Sequence, residues 1–129
     1  MPPNALDKLT IVLVEDHPDA RTLIGAFLRQ EGANVISATD GLEGLEAVKT
    51  HHPDLVLSDL LMPRRDGFEL LNDIRSLDSG YGGNIPVIAM TALVQYSDQR
   101  ARDAGFESHL SKPFSPKQLL DAILSVVRR

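Results

Sequence analysis

Short, wholly apolar runs set the strongest limit on how this chain can fold. Ile11-Val12-Leu13-Val14, Leu55-Val56-Leu57 and the run from Pro86 to Met90 are brief and lack polar alternation. Runs of that kind fill strands covered on both faces. Val35-Ile36 and the stretch from Glu107 to Leu110 read as two shorter strands. Between them, apolar residues recur at helical spacing: Ala20, Leu23, Ile24, Phe27 and Leu28 make one face of a helix. The pattern is βα repeated five times. It implies an α/β fold, a five-stranded parallel sheet covered on both faces with right-handed crossovers.

Local signals place the helix ends. Pro18 suits a first turn and Gly32 a stop. Asp40 with Glu43 has capping-box spacing and opens a helix through Leu42, Leu45 and Val48 that must end before Pro53. Phe68, Leu70, Leu71 and Ile74 suggest a third helix. Residues 77–84 are rich in turn formers and read as a surface loop. A fourth helix is expected from Leu93 to Ala104, with a thin apolar pattern, ended by Gly105. Ser115, Pro116 and Gln118 supply the cap, first residue and capping-box partner of the last helix, with Phe114 stapled to Leu119. Residues 1–8 read as a short polar lead. One domain over residues 1–129, with a core from about 9 to 128, is the expected organisation.

Composition excludes several classes. No apolar run approaches the roughly 20 residues needed to cross a bilayer, so no membrane association is expected. The absence of cysteine rules out disulfide and thiolate chemistry and fits a cytoplasmic setting. A formal net charge of −5 argues against direct nucleic-acid binding. His51-His52 before Pro53 reads as a solvated helix end, and His17 before Pro18 as a helix start. Gly80–Gly83 lacks the Lys-Ser/Thr of a phosphate loop.

The chemistry collects at one edge. Asp59 follows the central apolar run, where open α/β sheets bind ligands. Alone it reads as a turn cap. Glu15, Asp16, Thr91 and Lys112, however, each follow another run. Carboxylates gathered there repel one another unless a cation intervenes. Mg²⁺ fits, because it takes hard oxygen ligands and keeps several waters. With a lysine and a hydroxyl beside it, the set is what steadies a phosphoryl group in transfer.

Leu13-Val14-Glu15-Asp16, Ser58-Asp59-Leu60-Leu61-Met62-Pro63-Arg64-Arg65-Asp66-Gly67, Thr91-Ala92 and Ser111-Lys112-Pro113-Phe114 together resemble the receiver domain of two-component response regulators. The resemblance implies the CheY-like, flavodoxin-like strand order 2-1-3-4-5. It implies that Asp59 accepts a phosphoryl group from the phosphohistidine of a histidine kinase or histidine phosphotransfer protein. Mg²⁺ would be held by Asp16 and Asp59, by Glu15 largely through water, and by the Leu61 backbone carbonyl. Lys112 would contact phosphate and Asp59. Thr91 would move to bond a phosphate oxygen, which Ala92 leaves room for, and Lys112–Pro113 would be cis. The product would be a signalling switch acting on a downstream protein target, as a monomer or weak dimer, rather than an enzyme turning over a substrate.

Three positions modify the pattern. His109 stands where many receivers carry a Tyr or Phe that swings inward, so it either fills that switch role or faces solvent. Leu61 and Leu93, two beyond Asp59 and Thr91, are apolar and cannot orient water, so slow self-dephosphorylation is expected. Arg64 and Arg65 read as solvated, with a kinase contact as the alternative. An aspartyl-phosphate phosphatase would carry a second carboxylate where Leu61 stands, and a degenerate receiver would lack part of the set. The resemblance leaves open a stand-alone receiver or one from a larger regulator or hybrid kinase.

Overall fold

The computed structural model describes residues 4–92 and 98–127. Five strands, β1 (Thr10–Val14), β2 (Asn34–Ala38), β3 (Leu55–Asp59), β4 (Val87–Thr91) and β5 (Ser108–Ser111), form one parallel sheet in the order β2-β1-β3-β4-β5. The helices are α1 (Pro18–Gln30), α2 (Gly41–His51), α3 (Gly67–Arg75), α4 (Asp98–Ala104) and α5 (Pro116–Val127). The (βα)5 expectation and its strand order hold. The expected start of the fourth helix, residues 93–97, lies outside the described residues.

Period-two alternation explains why the strands are apolar throughout. Ile11, Leu13, Leu55, Leu57, Ile88 and Met90 point to a core beneath α1 and α5. Val12, Val14, Val56, Val87 and Ala89 point to the other, beneath α2 and α3. β3 pairs with β1 on one side and β4 on the other. Asp59 is therefore carried by a strand with no exposed edge.

The local signals act largely as read. Ser115 N–H donates to Gln118 Oε1 at 2.8 Å, and Gln118 N–H to Ser115 Oγ at 3.1 Å. Gly32, at φ +96°, follows the end of α1, where a Cβ would crowd Asp7 and Asn4. Asp40 caps α2 through Glu43 N–H, but the Glu43 carboxylate bonds Thr39 N–H at 2.8 Å instead of closing back on Asp40. Residues 4–8 are not a polar lead: Leu6 is fully buried in the α1/α5 core, and its N–H bonds Glu31 O. The loop 77–84 contains a 3₁₀ turn, Ser79–Tyr81. Among the described residues no helix is long and apolar enough to cross a membrane.

Candidate functional site

Glu15, Asp59 and Lys112 are held at the C-terminal edge of the sheet by backbone bonds at or just beyond the strand ends. Glu15 N–H donates to Ala38 O at 3.0 Å, Leu60 N–H, just after Asp59, to Met90 O at 3.2 Å, and Lys112 N–H to Thr91 O at 2.7 Å. Ladder bonds thus continue one residue past the strands, so the carboxylates and the ammonium start from fixed backbone.

The side chains converge. One carboxylate oxygen from each of Glu15, Asp16 and Asp59 lies within 4.8 Å of the others. Lys112 Nζ bridges two of them, 2.6 Å from Glu15 Oε1 and 3.0 Å from Asp59 Oδ2. Glu15 is wholly buried, and its second oxygen accepts His17 N–H at 3.3 Å. Burial pushes the Glu15 carboxyl above the usual carboxylate range; Asp59 adds to the rise and the Lys112 ammonium opposes it. Burial would depress the Lys112 ammonium, yet its bonds to Glu15 and Asp59 prevail and hold it above its ordinary value. Asp16 is exposed, so the cluster opens to solvent.

This donor set fits a hard divalent cation: three carboxylates, one buried and under-neutralised, beside an open mouth where water can complete the coordination. Leu61 lies in the β3–α3 loop, its side chain 62% exposed. The Lys112–Pro113 peptide is cis.

Thr91, at the end of β4, is buried. His109 is half-buried, with Nε2 3.2 Å from Ser111 Oγ. Ala89 pairs with His109 and Thr91 with Ser111, so His109 shares a sheet face with Thr91, two register positions away. Leu93 lies outside the described residues.

Three arginines have structural partners that sequence patterns do not disclose. Arg21 NH1 donates to the Glu15 carbonyl at 2.9 Å and the Asp16 carbonyl at 3.4 Å, tying α1 to the acidic turn. Arg64 and Arg65 are not simply solvated. Arg64 pairs with Asp40, and Arg65 with Glu69 and Asp73, each at 2.9 Å. The i,i+4 spacing of Arg65 and Glu69 was the one available signal. A shallow depression of about 450 Å³ flanks the site, lined by Ala20, Leu23, Ile24, Ala92, Lys112 and Phe114 among others.

A parallel sheet in the order 2-1-3-4-5 with an acidic cluster and a lysine at its C-terminal edge defines a doubly wound, flavodoxin-like α/β domain. The response regulator receiver domain matches residues 11–124, and the chain belongs to that family of two-component signalling proteins. It is 39% identical over 116 residues to an uncharacterized 14.6 kDa protein of Leptolyngbya boryana, covering 89% of this chain and 87% of that one. It is 38% identical over 121 residues to the transcriptional regulatory protein PdtaR of Mycobacterium tuberculosis, covering 92% of this chain and 57% of that one. Against the "Probable transcriptional regulator ycf27" of Porphyridium aerugineum, 37% identity covers 96% of this chain and half of the relative. The chain thus spans little more than half the length of several curated relatives. Among solved structures, the receiver domain of the sensor histidine kinase PA1611 from Pseudomonas aeruginosa superposes with a TM-score of 0.84 at 30% identity, over 94% of this chain and 98% of that one. That receiver holds a magnesium ion in its active-site cleft. CheY in the Borrelia burgdorferi CheX–CheY complex gives 0.83 at 27% identity, over 93% and 90%.

Proposed function

We propose that this receiver is a phospho-accepting switch in which Asp59 takes a phosphoryl group from a histidine kinase or histidine phosphotransfer protein. The observation that carries the reading is Lys112 Nζ, seated between the Glu15 and Asp59 carboxylates in a cluster whose oxygens lie within 4.8 Å. Glu15, Asp16 and Asp59, with the Leu61 carbonyl, would hold Mg²⁺. When bound, the ion supplies charge neutralisation to the transferring phosphoryl oxygens.

The residues of the chain do the rest. An Asp59 carboxylate oxygen attacks phosphorus as the P–N bond to the donor imidazole breaks. The departing nitrogen keeps the electron pair and is protonated from solvent. Lys112, already within hydrogen-bond distance of Asp59, follows the new charge as a point donor. Thr91, on the neighbouring strand, provides a hydroxyl for a phosphate oxygen, and His109 on the same sheet face is positioned to follow its movement. The apolar depression beside Lys112 offers a partner a landing surface next to the acceptor. The output is a changed surface for a downstream protein target in the cytoplasm, and no separate substrate is turned over.

Incubation with acetyl phosphate and Mg²⁺, followed by intact mass, tests this. One phosphate adduct is expected on wild type and none on Asp59→Asn. An adduct that survives that substitution, or none on wild type, overturns the assignment.

A further inference from the structure

The loop between β3 and α3 carries Leu61, and it is held from outside the site. Asp40, the buried N-cap of α2, accepts Glu43 N–H on Oδ1 at 2.9 Å and Arg64 Nε on Oδ2 at 2.6 Å. Arg64 NH2 contacts the same Oδ2, so two guanidinium nitrogens converge on one carboxylate oxygen. Arg64 sits at φ +64°, a left-handed conformation that a side chain adopts only when its surroundings require it. Beside this pair, Gly41 N–H donates to Arg65 O at 2.9 Å. A Cβ at Gly41 would stand 2.3 Å from that oxygen, so the two backbones touch. At the loop's base, Gly67 N–H bonds Leu60 O at 2.9 Å, and Asp66 closes a capping box with Glu69. Both ends of residues 60–67 are anchored to α3, and the middle is anchored to α2 by Asp40 and Gly41.

We propose that Asp40 and Arg64 form a positioning clamp that sets the β3–α3 loop, and with it the Leu61 carbonyl, against the acidic cluster. The inference rests on the phosphoacceptor reading above. Neither residue touches the reacting atoms. Their carboxylate–guanidinium pair fixes the loop laterally, as hydrogen bonds behind a metal ligand fix its orientation. One acid thereby serves two elements. Asp40 caps α2 with one oxygen and pins the loop with the other, so movement of α2 is transmitted to the loop that holds Leu61.

The test is calorimetric Mg²⁺ titration of the unphosphorylated full chain, paired with acetyl phosphate labelling across Mg²⁺ concentrations. Arg64→Ala is expected to weaken Mg²⁺ binding by about tenfold, the lower end for loss of a residue behind a ligand. Labelling should then need proportionally more Mg²⁺ yet reach the wild-type rate at saturation. Arg64→Lys should recover part of the loss. Asp40→Asn keeps the helix cap, since Asn caps as well as Asp, and should lose no more when combined with Arg64→Ala. Arg64→Ala leaves the buried Asp40 carboxylate without its charge partner, so its melting temperature should fall somewhat; recovery of the wild-type labelling rate at saturating Mg²⁺ is what separates positioning from a general stability effect. Wild-type Mg²⁺ affinity in Arg64→Ala, or a loss that persists at saturating Mg²⁺, overturns the clamp. If wild type itself binds no Mg²⁺ and takes no phosphate, the phosphoacceptor reading has failed instead.

Discussion

Replacing Lys112 with Met removes the cation that Glu15 and Asp59 share at 2.6 and 3.0 Å while keeping much of the side chain's bulk. The two carboxylates then face each other within 4.8 Å. At an effective dielectric of about 20, that separation corresponds to roughly 3.5 kcal/mol of repulsion. Asp59 and Lys112 are partly exposed, at 13% and 26%, which trims the cost to about 2 kcal/mol by solvent screening. For 129 residues, an unfolding entropy of about 0.27 kcal/mol/K converts this to a melting temperature lower by roughly 7 °C at pH 8. The deficit has a sign in pH. The Glu15 carboxyl is already raised by burial and rises further once Lys112 is gone. A carboxyl raised in the folded state contributes stability below its unfolded pKa and loses it as pH rises through the folded value. The variant should therefore melt close to wild type near pH 5 and fall behind as pH increases. Mg²⁺ should narrow the gap, because a cluster without its lysine binds the ion more tightly and so gains more of the RT ln(1 + [L]/Kd) stabilisation than wild type does. Calorimetric melts of both proteins from pH 5 to 8, with and without Mg²⁺, read all of this. Equal melting temperatures at pH 8, or a deficit independent of pH, would refute the account of Lys112 as the counter-charge of the cluster.

Two other substitutions probe the loop after Asp59. Leu61→Asn should shorten the lifetime of the phosphorylated form by about two- to tenfold, the worth of one hydrogen bond that positions water, measured by intact mass after removal of the phosphodonor. A lifetime equal to wild type would sink the idea that an apolar Leu61 slows hydrolysis. Gly41→Ala places a Cβ 2.3 Å from Arg65 O and 2.4 Å from Arg65 Cβ. Forced displacement of that kind costs about 1–3 kcal/mol, visible as a lower denaturant midpoint at unchanged slope; an unaltered midpoint would mean that the two backbones can part freely.

What could be read from sequence was local or periodic. The apolar runs specify strands covered on both faces because alternate residues enter different cores, Ile11 and Leu13 into one, Val12 and Val14 into the other. The Ser115–Pro116–Gln118 signal needs only residues within one turn of each other, and both of its bonds form. The acidic edge follows from topology, since every strand of a parallel sheet ends on the same side. Leu6 escaped because nothing periodic marks a single apolar residue in a short lead. Its burial depends on the turn at Gly32 and a bond to Glu31. Arg64 escaped for a related reason: its partner lies 24 residues away, and a long side chain carries no spacing that names a distant acid.

Those non-local contacts share a physical role. Sequence patterns put Glu15, Asp16, Asp59, Thr91 and Lys112 at one edge, but an edge of loops would leave their geometry loose. Arg21 fixes the carbonyls of Glu15 and Asp16 from α1, Asp40 and Gly41 fix the loop beyond Asp59 from α2, and Arg65 braces that loop to Glu69 and Asp73 on α3. Three helices are thereby tied to the acidic edge through arginine side chains or backbone contacts, not through the apolar core. On the proposed phosphoacceptor reading, a charge change at Asp59 would act on groups whose partners are polar and directional, and such contacts exchange between discrete arrangements more readily than packed side chains can deform.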